Sequence, residues 1–205
     1  MAPRTQAERS GLTSARLTAA ARRLFGLDGY AATSIDAIAA AAGVTKGAAY
    51  HHFHDKAGLL RAAFVEEQRL VCAAVTQAAI TAPDTLSGLS SGAAAFLERC
   101  TNRTFRQIVL LDGPAFLGWD TVRAIEGDYV LRVLTGGIRA AAADGLISAE
   151  HLDIRSQIIF GGLCEAGMLL ARSADPAATL PVVTAEAQRM LRALAGSEGP
   201  EGLGG

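Results

Sequence analysis

The 205-residue sequence has few aromatic, charged or cross-linking side chains. Aromatic residues make up 5% of the chain and charged residues 19%, and there are only 6 prolines. The three cysteines, Cys72, Cys100 and Cys164, are an odd number and lie far apart without a CxxC spacing. This pattern argues against a disulfide framework or a zinc cluster, and it indicates reduced thiols in a cytoplasmic protein.

Long hydrophobic runs and familiar enzyme motifs are also missing. The longest stretch without a charged residue is residues 70–83, and these 14 residues are fewer than the roughly 20 that a membrane-spanning helix needs. Residues 1–11 lack the apolar core of a signal peptide. The motifs GxGxxG, GxxxxGKS/T, HExxH and GxSxG are absent. We therefore expect no membrane span, metal or cofactor, and no enzyme activity.

Alanine is abundant instead, with 42 residues against 7 Phe, 3 Tyr and 1 Trp. Because alanine is the best helix former and prolines are few, the composition predicts an all-α protein. A hydrophobic content of 50% and a net charge of −1 argue against a disordered chain.

Charge is divided unevenly along the chain. As far as Phe64 there are 8 Lys/Arg and 4 Asp/Glu, a balance of +4, whereas the remainder has 11 and 16, a balance of −5. A basic first third on an acidic body is typical of a polyanion-binding module, although ordinary scatter gives imbalances of this size as often.

The basic third also contains the pattern of a helix-turn-helix. Residues 10–27 carry apolar side chains at nearly the 3.6-residue period and predict one amphipathic helix. A hydroxyl at Thr33-Ser34 can cap a short second helix, Gly43 can end it with a positive φ, and Thr45 can cap a third helix. The exposed face of that third helix has short or hydrogen-bonding side chains, which suit a major groove about 12 Å wide.

These residues resemble the DNA-binding domain of TetR-family transcriptional repressors over about 50 positions. The resemblance is carried by Leu24-Phe25, Gly29-Tyr30, Thr33-Ser34-Ile35, Ile38-Ala39, Ala42-Gly43-Val44-Thr45-Lys46-Gly47, Tyr50-His51-His52-Phe53, Lys56 and Leu59-Leu60. It implies a cytosolic homodimer with an N-terminal three-helix DNA-binding domain and a larger helical domain for effector binding and dimerisation. Family members usually block transcription and release DNA when a small molecule binds.

The resemblance also implies a set of DNA contacts, position by position. The set is Thr33, Ser34 and Lys56 for phosphates, Lys46, Gly47 and Ala48 for base edges, Tyr50 and His51 for the backbone or a base, and Thr45 at the start of the third helix. Hydroxyls, lysines and helix N-termini all suit phosphate oxygens, whereas Gly47 and Ala48 can make only close apolar or backbone contacts.

Two other chemistries have weaker support. His51, His52 and His54 could suggest a metal site, but one helix cannot aim all three at a shared ion. The cysteines could sense redox state, although a free cysteine is more often a small buried hydrophobe.

The rest of the chain predicts further helices separated by turn-forming pairs. The predicted helices cover residues 57–80, 86–102, 105–111, 119–143, 151–173 and 182–195, with breaks at Asp112-Gly113-Pro114, Asp144-Gly145 and Asp175-Pro176. We expect a DNA-binding domain over residues 1–56, an effector-binding and dimerisation domain over 57–196, and a disordered tail over 197–205.

Dimerisation is expected through helices 151–173 and 182–195, because both carry stripes of small and aliphatic residues. The stripes are Leu152, Ile159, Leu163, Ala166 and Leu170, then Val183, Met190, Leu191 and Leu194. Packing within one subunit would give the same pattern, so both interpretations stay open.

The scarce aromatic residues of the middle of the chain are candidates for an effector pocket, together with polar groups near them. The candidate residues are Phe96, Cys100, Phe116, Trp119, Asp120 and Arg123. The alternative is that these side chains only pack.

The sequence therefore predicts a repressor that binds palindromic double-stranded operator DNA as a homodimer and is released by a small-molecule effector. Activation instead of repression stays open. A helical small-molecule-binding protein or enzyme that no longer binds DNA is the rival from another class, and the intact set of Lys46, Tyr50 and Lys56 argues against it.

Overall fold

The computed structural model describes residues 5–196, with side chains as far as residue 193, and every regular element in that range is helical. The all-α prediction is thereby confirmed. The predicted disordered tail, residues 197–205, and the side chain of Leu194 lie outside the described residues. The helices are α1 (Gln6–Ala32), α2 (Ile35–Ala42), α3 (Lys46–Phe53), α4 (Lys56–Ile80), α5 (Thr85–Thr101), α6 (Arg103–Phe105), a π-helix (Arg106–Asp112), α7 (Gly113–Leu117), α8 (Trp119–Asp128), α9 (Val130–Ala143), α10 (Leu152–Arg172) and α11 (Pro176–Gly196).

The chain forms two compact units, here called unit 1 and unit 2. Unit 1 comprises the residues up to Gln68 together with Asn102–Ile125, and unit 2 comprises Arg69–Thr101 and the residues from Glu126 onward. Helix α4 contributes its first half to unit 1 and its second half to unit 2. Unit 1 thus extends beyond the boundary that we predict at residue 56, and it includes a segment from the middle of the chain.

The core of unit 1 forms around α1. Leu17, Ala21 and Phe25 of α1 are fully buried, as are Leu59 and Leu60 of α4. An ion pair between Arg22 Nε and the buried Glu67 carboxylate, 2.5 Å apart, also joins α1 to α4. The three helices of the predicted helix-turn-helix therefore share their core with α4.

The turn between α2 and α3 has the start and stop signals that the sequence predicts. The Ser34 hydroxyl accepts a hydrogen bond from the Ala37 N–H at 3.1 Å, and the Thr45 hydroxyl accepts one from the Ala48 N–H at 3.2 Å. Gly43 lies in the left-handed region, with φ 63° and ψ 40°, and ends α2 there. These caps confirm the predicted helix-turn-helix, because each satisfies backbone groups that a helix end leaves unpaired.

The segment of unit 1 after Asn102 differs from its prediction. We expect one helix over 105–111 and a break at Asp112-Gly113-Pro114, but the helical backbone continues from the π-helix directly into α7. Pro114 is the second residue of α7 and lies within this continuous helical backbone. The break falls instead at Gly118, where φ is 81°.

Unit 2 is a bundle in which α5 packs against α9, α10 and α11, and α10 also packs against α9 and α11. The rings of Phe96 and Phe160 meet edge to face in its core, with centroids 6.2 Å apart. Two predicted boundaries in this part of the chain are wrong. The predicted helix 119–143 breaks at Tyr129, which has φ −119° and ψ −103°. The last helix begins at Pro176 rather than at 182, because Asp175 caps it through the Ala178 N–H at 3.0 Å.

Helix α10 has two apolar faces. Ile159, Leu163 and Leu170 of the stripe that we predict for dimerisation are buried within unit 2 itself. A second set on the same helix is exposed, namely Ile154 (61%), Ile158 (69%) and Leu169 (54%). Within residues 5–196, α10 is also the one helix long and apolar enough to cross a bilayer, and a helix that buries one apolar face and exposes another has the same composition.

Gly43→Ala should lower the free energy of unfolding by about 1–2 kcal/mol, because a side chain at positive φ strains the turn between α2 and α3. Gly47→Ala is the matched control, since a Cβ at Gly47 has no atom within 4 Å and alanine favours the helix. Chemical denaturation without DNA measures both variants. Equal effects of the two substitutions would contradict the assigned turn.

Candidate nucleic-acid interface

Helix α3 separates its residues into a buried and an exposed side. Ala49 points into unit 1 and is 1% exposed, and Ala48 is half-buried. The exposed side chains or positions of α3 are Lys46, Gly47, Tyr50 and His51, with Tyr50 43% exposed. The structure therefore brings the predicted base-edge and backbone contacts of this helix together on one face.

Ser34 and Thr45 lie at the N-termini of α2 and α3, and both are exposed. Each hydroxyl accepts a hydrogen bond from its own helix, so it retains its O–H as a donor. A helix N-terminus carries partial positive charge and unpaired N–H groups, which suit a phosphate oxygen. This geometry is compatible with the phosphate contacts predicted at these starts.

Lys46 has an acidic partner that sequence reasoning missed. Its ammonium lies 2.9 Å from the Asp36 carboxylate of α2, and both side chains are exposed. The hydrogen bond that Lys46 donates to Asp36, and then the charge of Asp36, raise the pKa of Lys46. The two residues are ten positions apart and meet only because α2 and α3 cross. No short sequence pattern therefore predicts the pair.

Lys56, at the start of α4, binds the backbone at the end of α1. Its ammonium donates to the backbone oxygens of Tyr30 at 2.9 Å and Thr33 at 3.1 Å, and it lies 4.2 Å from the centre of the Tyr30 ring. An ammonium has three donors, so one remains for a phosphate.

Thr33 is the one predicted contact residue with a buried side chain, at 4% exposure. Its hydroxyl donates to the Gly29 oxygen at 2.8 Å, and its N–H donates to the Tyr30 oxygen at 3.3 Å. Both donors are therefore used within unit 1, and we leave Thr33 out of the proposed contact set.

The segment after Asn102 attaches to the same end of α1. The buried Asp112 carboxylate accepts hydrogen bonds from the Tyr30 N–H at 2.8 Å and from Gln107 Nε2 at 3.0 Å. Arg103 donates to the Leu27 oxygen at 2.6 Å, and the rings of Tyr30 and Phe116 lie 4.3 Å apart. Burial, and then the charge of Asp55, raise the pKa of Tyr30. Sequence reasoning missed the contact between Asp112 and Tyr30 because the two residues are 82 positions apart.

The six predicted effector residues are divided between the two units. Phe96 and Cys100 belong to unit 2, whereas Phe116, Trp119, Asp120 and Arg123 belong to unit 1. Cys100 is fully buried, and Trp119 is 61% exposed beneath the Arg123 guanidinium, 4.5 Å from its ring centre. Phe116 and Asp120 line an open groove of about 730 Å³ in unit 1.

Of these six, Phe96 lines a cavity of about 380 Å³ that lies entirely within unit 2. Its walls come from the second half of α4 and from α5, α9 and α10, and most of them are small aliphatic side chains. Sequence reasoning missed these residues because an aliphatic cavity wall has the same composition and period as an ordinary helical core.

The part of the chain that the structure describes has no metal-binding cluster, and two of its cysteines are partly or fully shielded from solvent. No group of three or more His, Cys, Asp or Glu side chains is placed there to hold a metal ion. Burial raises the pKa of Cys72 to about 11 and that of Cys100 further, so both remain protonated at neutral pH.

A capped helix-turn-helix with an exposed, polar second helix defines a DNA-binding protein of the helix-turn-helix class. A family model described as "Bacterial regulatory proteins, tetR family" matches residues 17–63, and one described as "Tetracyclin repressor-like, C-terminal domain" matches residues 86–194. The chain belongs to the TetR family of transcriptional regulators, which are DNA-binding transcription factors and not enzymes. The family resemblance inferred from sequence is confirmed.

Individual relatives agree with this assignment. A TetR-family transcriptional regulator from Pectobacterium atrosepticum is 32% identical, with a TM-score of 0.79 over 93% of this chain and 97% of that chain. The transposon Tn10 TetC protein of Escherichia coli is 28% identical over 159 residues, which are 76% of this chain and 79% of the relative. RolR in complex with resorcinol shares the fold, with a TM-score of 0.73 at 20% identity over 96% of this chain and 99% of that chain.

Lys46→Met should weaken DNA binding and lower the slope of log K against log salt by about one, because the exposed face of α3 loses a cation. It should leave thermal stability almost unchanged, since the ion pair with Asp36 is exposed. Titrating labelled DNA at several salt concentrations measures the slope. An unchanged slope would exclude a phosphate contact for Lys46 and leave only its predicted base-edge contact.

Lys56→Met is the matched comparison. It removes two hydrogen bonds from a charged donor and should lower the free energy of unfolding by about 1–3 kcal/mol. A decrease of about one in its salt slope would support the predicted phosphate contact, and an unchanged slope would leave Lys56 with a structural role alone.

Proposed function

We propose that this regulator is a repressor that binds a palindromic operator as a homodimer and leaves it when a small-molecule effector binds in unit 2. The observation that carries the DNA-binding part is the exposed face of α3, with Lys46, Gly47, Tyr50 and His51 beside the open N-termini of α2 and α3. Lys56 and the helix starts supply the charge for phosphates, Lys46 faces base edges, and Gly47 and Ala48 allow the helix backbone to approach those edges.

The proposed dimer uses α10 and α11, but not the stripe that the sequence first suggests. Ile159, Leu163 and Leu170 already pack within unit 2, so the face available to a partner is the exposed one with Ile154, Ile158 and Leu169. Val182 of α11 is 64% exposed and adds to the available apolar surface. Large apolar side chains grouped on one helix are a feature of protein interfaces, and a two-fold dimer would place each copy's α10 against the other.

The effector part of the proposal rests on helix α4. Its second half supplies Val75, Ala79 and Ile80 to the cavity of unit 2, and its first residue, Lys56, holds the end of α1 in unit 1. A ligand that displaces the second half of α4 would therefore act on the helix that carries Lys56. Coupling of this kind is typically about 1–3 kcal/mol, enough to weaken DNA binding by roughly 5–150-fold.

Selection from random duplexes with the full-length chain tests the DNA-binding and repressor parts. We expect an inverted repeat whose half-sites lie about one helical turn apart, roughly 34–36 Å, with strongly salt-dependent affinity. A promoter that overlaps the selected site should lose transcription when the chain is added to purified polymerase. Selection of an asymmetric site would contradict the palindrome, and increased transcription would replace repression with activation.

Ile158→Asp tests the proposed dimer. We expect a monomer that keeps its helical circular dichroism but binds the selected palindrome at least about 100-fold more weakly, because each copy then contacts one half-site alone. Ala140→Asp is the matched control, since it places the same charge on an exposed position of α9. Light scattering measures the mass of each variant. A dimeric Ile158→Asp would contradict the assigned face.

A further inference from the structure

The cavity of unit 2 has a wall formed partly by helix backbone. Gly88 and Gly92 lie one turn apart on α5, where a Cβ would come within 3.1 Å of the Ala79 oxygen and 3.2 Å of Val75 Cγ1. These glycines bring α5 close to α4 along one side of the space. Leu89, Phe96, Val133, Leu134, Phe160 and Leu163 supply much of the remaining apolar wall.

The wall of the cavity carries negative charge and no positive charge. Among the residues that line the cavity, all of them described by the structure, there is no lysine, arginine or histidine, and Asp84 is the one ionisable residue. Asp84 already accepts hydrogen bonds from the Ser87 N–H at 2.8 Å and the Ser87 hydroxyl at 2.7 Å. These bonds, the backbone one first, lower the pKa of Asp84, so it is ionised at neutral pH.

A second carboxylate lies beside this end of the cavity. The hydroxyl of Thr85, which also lines the wall, donates to the Asp144 carboxylate at 2.6 Å. The Thr85 hydroxyl therefore has no proton left to donate to a ligand. The two charged groups in this region, Asp84 and Asp144, are both negative. Both carboxylates are exposed, so solvent screens their repulsion of an acidic ligand, and the main obstacle to such a ligand is that the lining contains no cation to neutralise it.

The size of the cavity limits its occupant. A cavity of about 150 Å³ lined by aliphatic and aromatic side chains holds benzene, so a volume of 380 Å³ corresponds to about 15 non-hydrogen atoms. This is at the small end of ligand pockets, which span about 300–1,000 Å³.

We propose that this cavity takes an uncharged, mainly hydrocarbon molecule of up to about 15 non-hydrogen atoms and excludes carboxylates and phosphates. The inference rests on the proposed function, since it names the chemical class of the effector. A lipophilic cation buried among the aliphatic walls is disfavoured too, because Asp84 is exposed to solvent and the other walls offer no compensating charge.

Three naphthalene derivatives of similar shape test the class with the full-length protein. They are 2-acetylnaphthalene, which is neutral, 2-naphthoate, which is a carboxylate, and 2-naphthylmethylammonium, which is a cation. Calorimetric titration should show that the ketone binds at least about 100-fold more tightly than either ion, since burial of an unpaired charge is costly. Equal or tighter binding of an ion, or no binding of the ketone up to its solubility limit, would overturn the proposal.

Two pairs of variants place the ketone in this cavity. Leu134→Trp should fill the space and weaken ketone binding at least about 10-fold, whereas Leu146→Trp, in the same unit but outside the cavity, should not. Ile80→Arg places a cation at an exposed wall position near the C-terminus of α4, where cations are tolerated, and should improve 2-naphthoate binding. Thr81→Arg, which adds the same charge outside the wall, should improve it less. Ketone binding that survives Leu134→Trp would overturn the proposal.

Release of DNA is measured separately with the selected operator. Ketone binding that depends on Leu134 but does not weaken DNA binding would support the ligand class and contradict the proposed effector mechanism. Release by 2-naphthoate, without release by the ketone, would support effector control and overturn the ligand class.

Discussion

The ammonium group of Lys56 binds the backbone at the end of α1, and the fold of unit 1 depends on this contact. Gly29 interrupts the helical backbone of α1, with φ 78° and ψ 166°. Lys56 then pairs with the oxygens of Tyr30 and Thr33 beyond that interruption, and its charge lies over the Tyr30 ring. A single side chain at the start of α4 thus fixes the chain just before Ser34 begins α2. The orientation of the helix-turn-helix follows from that entry point.

The same short stretch of backbone is bound from its other side by a segment distant in sequence. Asp112 accepts the Tyr30 N–H, and Arg103 donates to the Leu27 oxygen. The π-helix has one extra residue in its turn, and Asp112 is its last residue. Gly26 and Gly113 show how closely this segment packs, since a Cβ on either would come within 3 Å of Thr104 or Phe64. The DNA-binding unit therefore includes residues that a division by sequence order assigns to the other domain.

The parts of the fold that sequence reasoning predicted are those governed by neighbouring residues. The caps at Ser34 and Thr45 and the left-handed Gly43 follow from local rules and agree with the structure. Contacts between distant segments were missed, including Lys46 with Asp36 and Asp112 with Tyr30. The α10 stripe that sequence reasoning offered for dimerisation is packed within unit 2, because periodicity cannot tell a face packed within the subunit from one that is exposed. The cavity was not predicted for the same reason, because its lining side chains recur along the helices with the same period as core residues.

The glycines of α5 have a consequence for how this protein could change over evolutionary time. Because Gly88 and Gly92 let α5 lie close to Ala79 and Val75 of α4, the spacing of these two helices, which forms the frame of the cavity, does not depend on the side chains that fill its other walls. Aliphatic exchanges at Val133 or Leu134 can alter the shape of the space while that frame and the DNA-facing residues of α3 stay the same. A lineage could thus acquire response to a new compound in small steps and keep its established target genes.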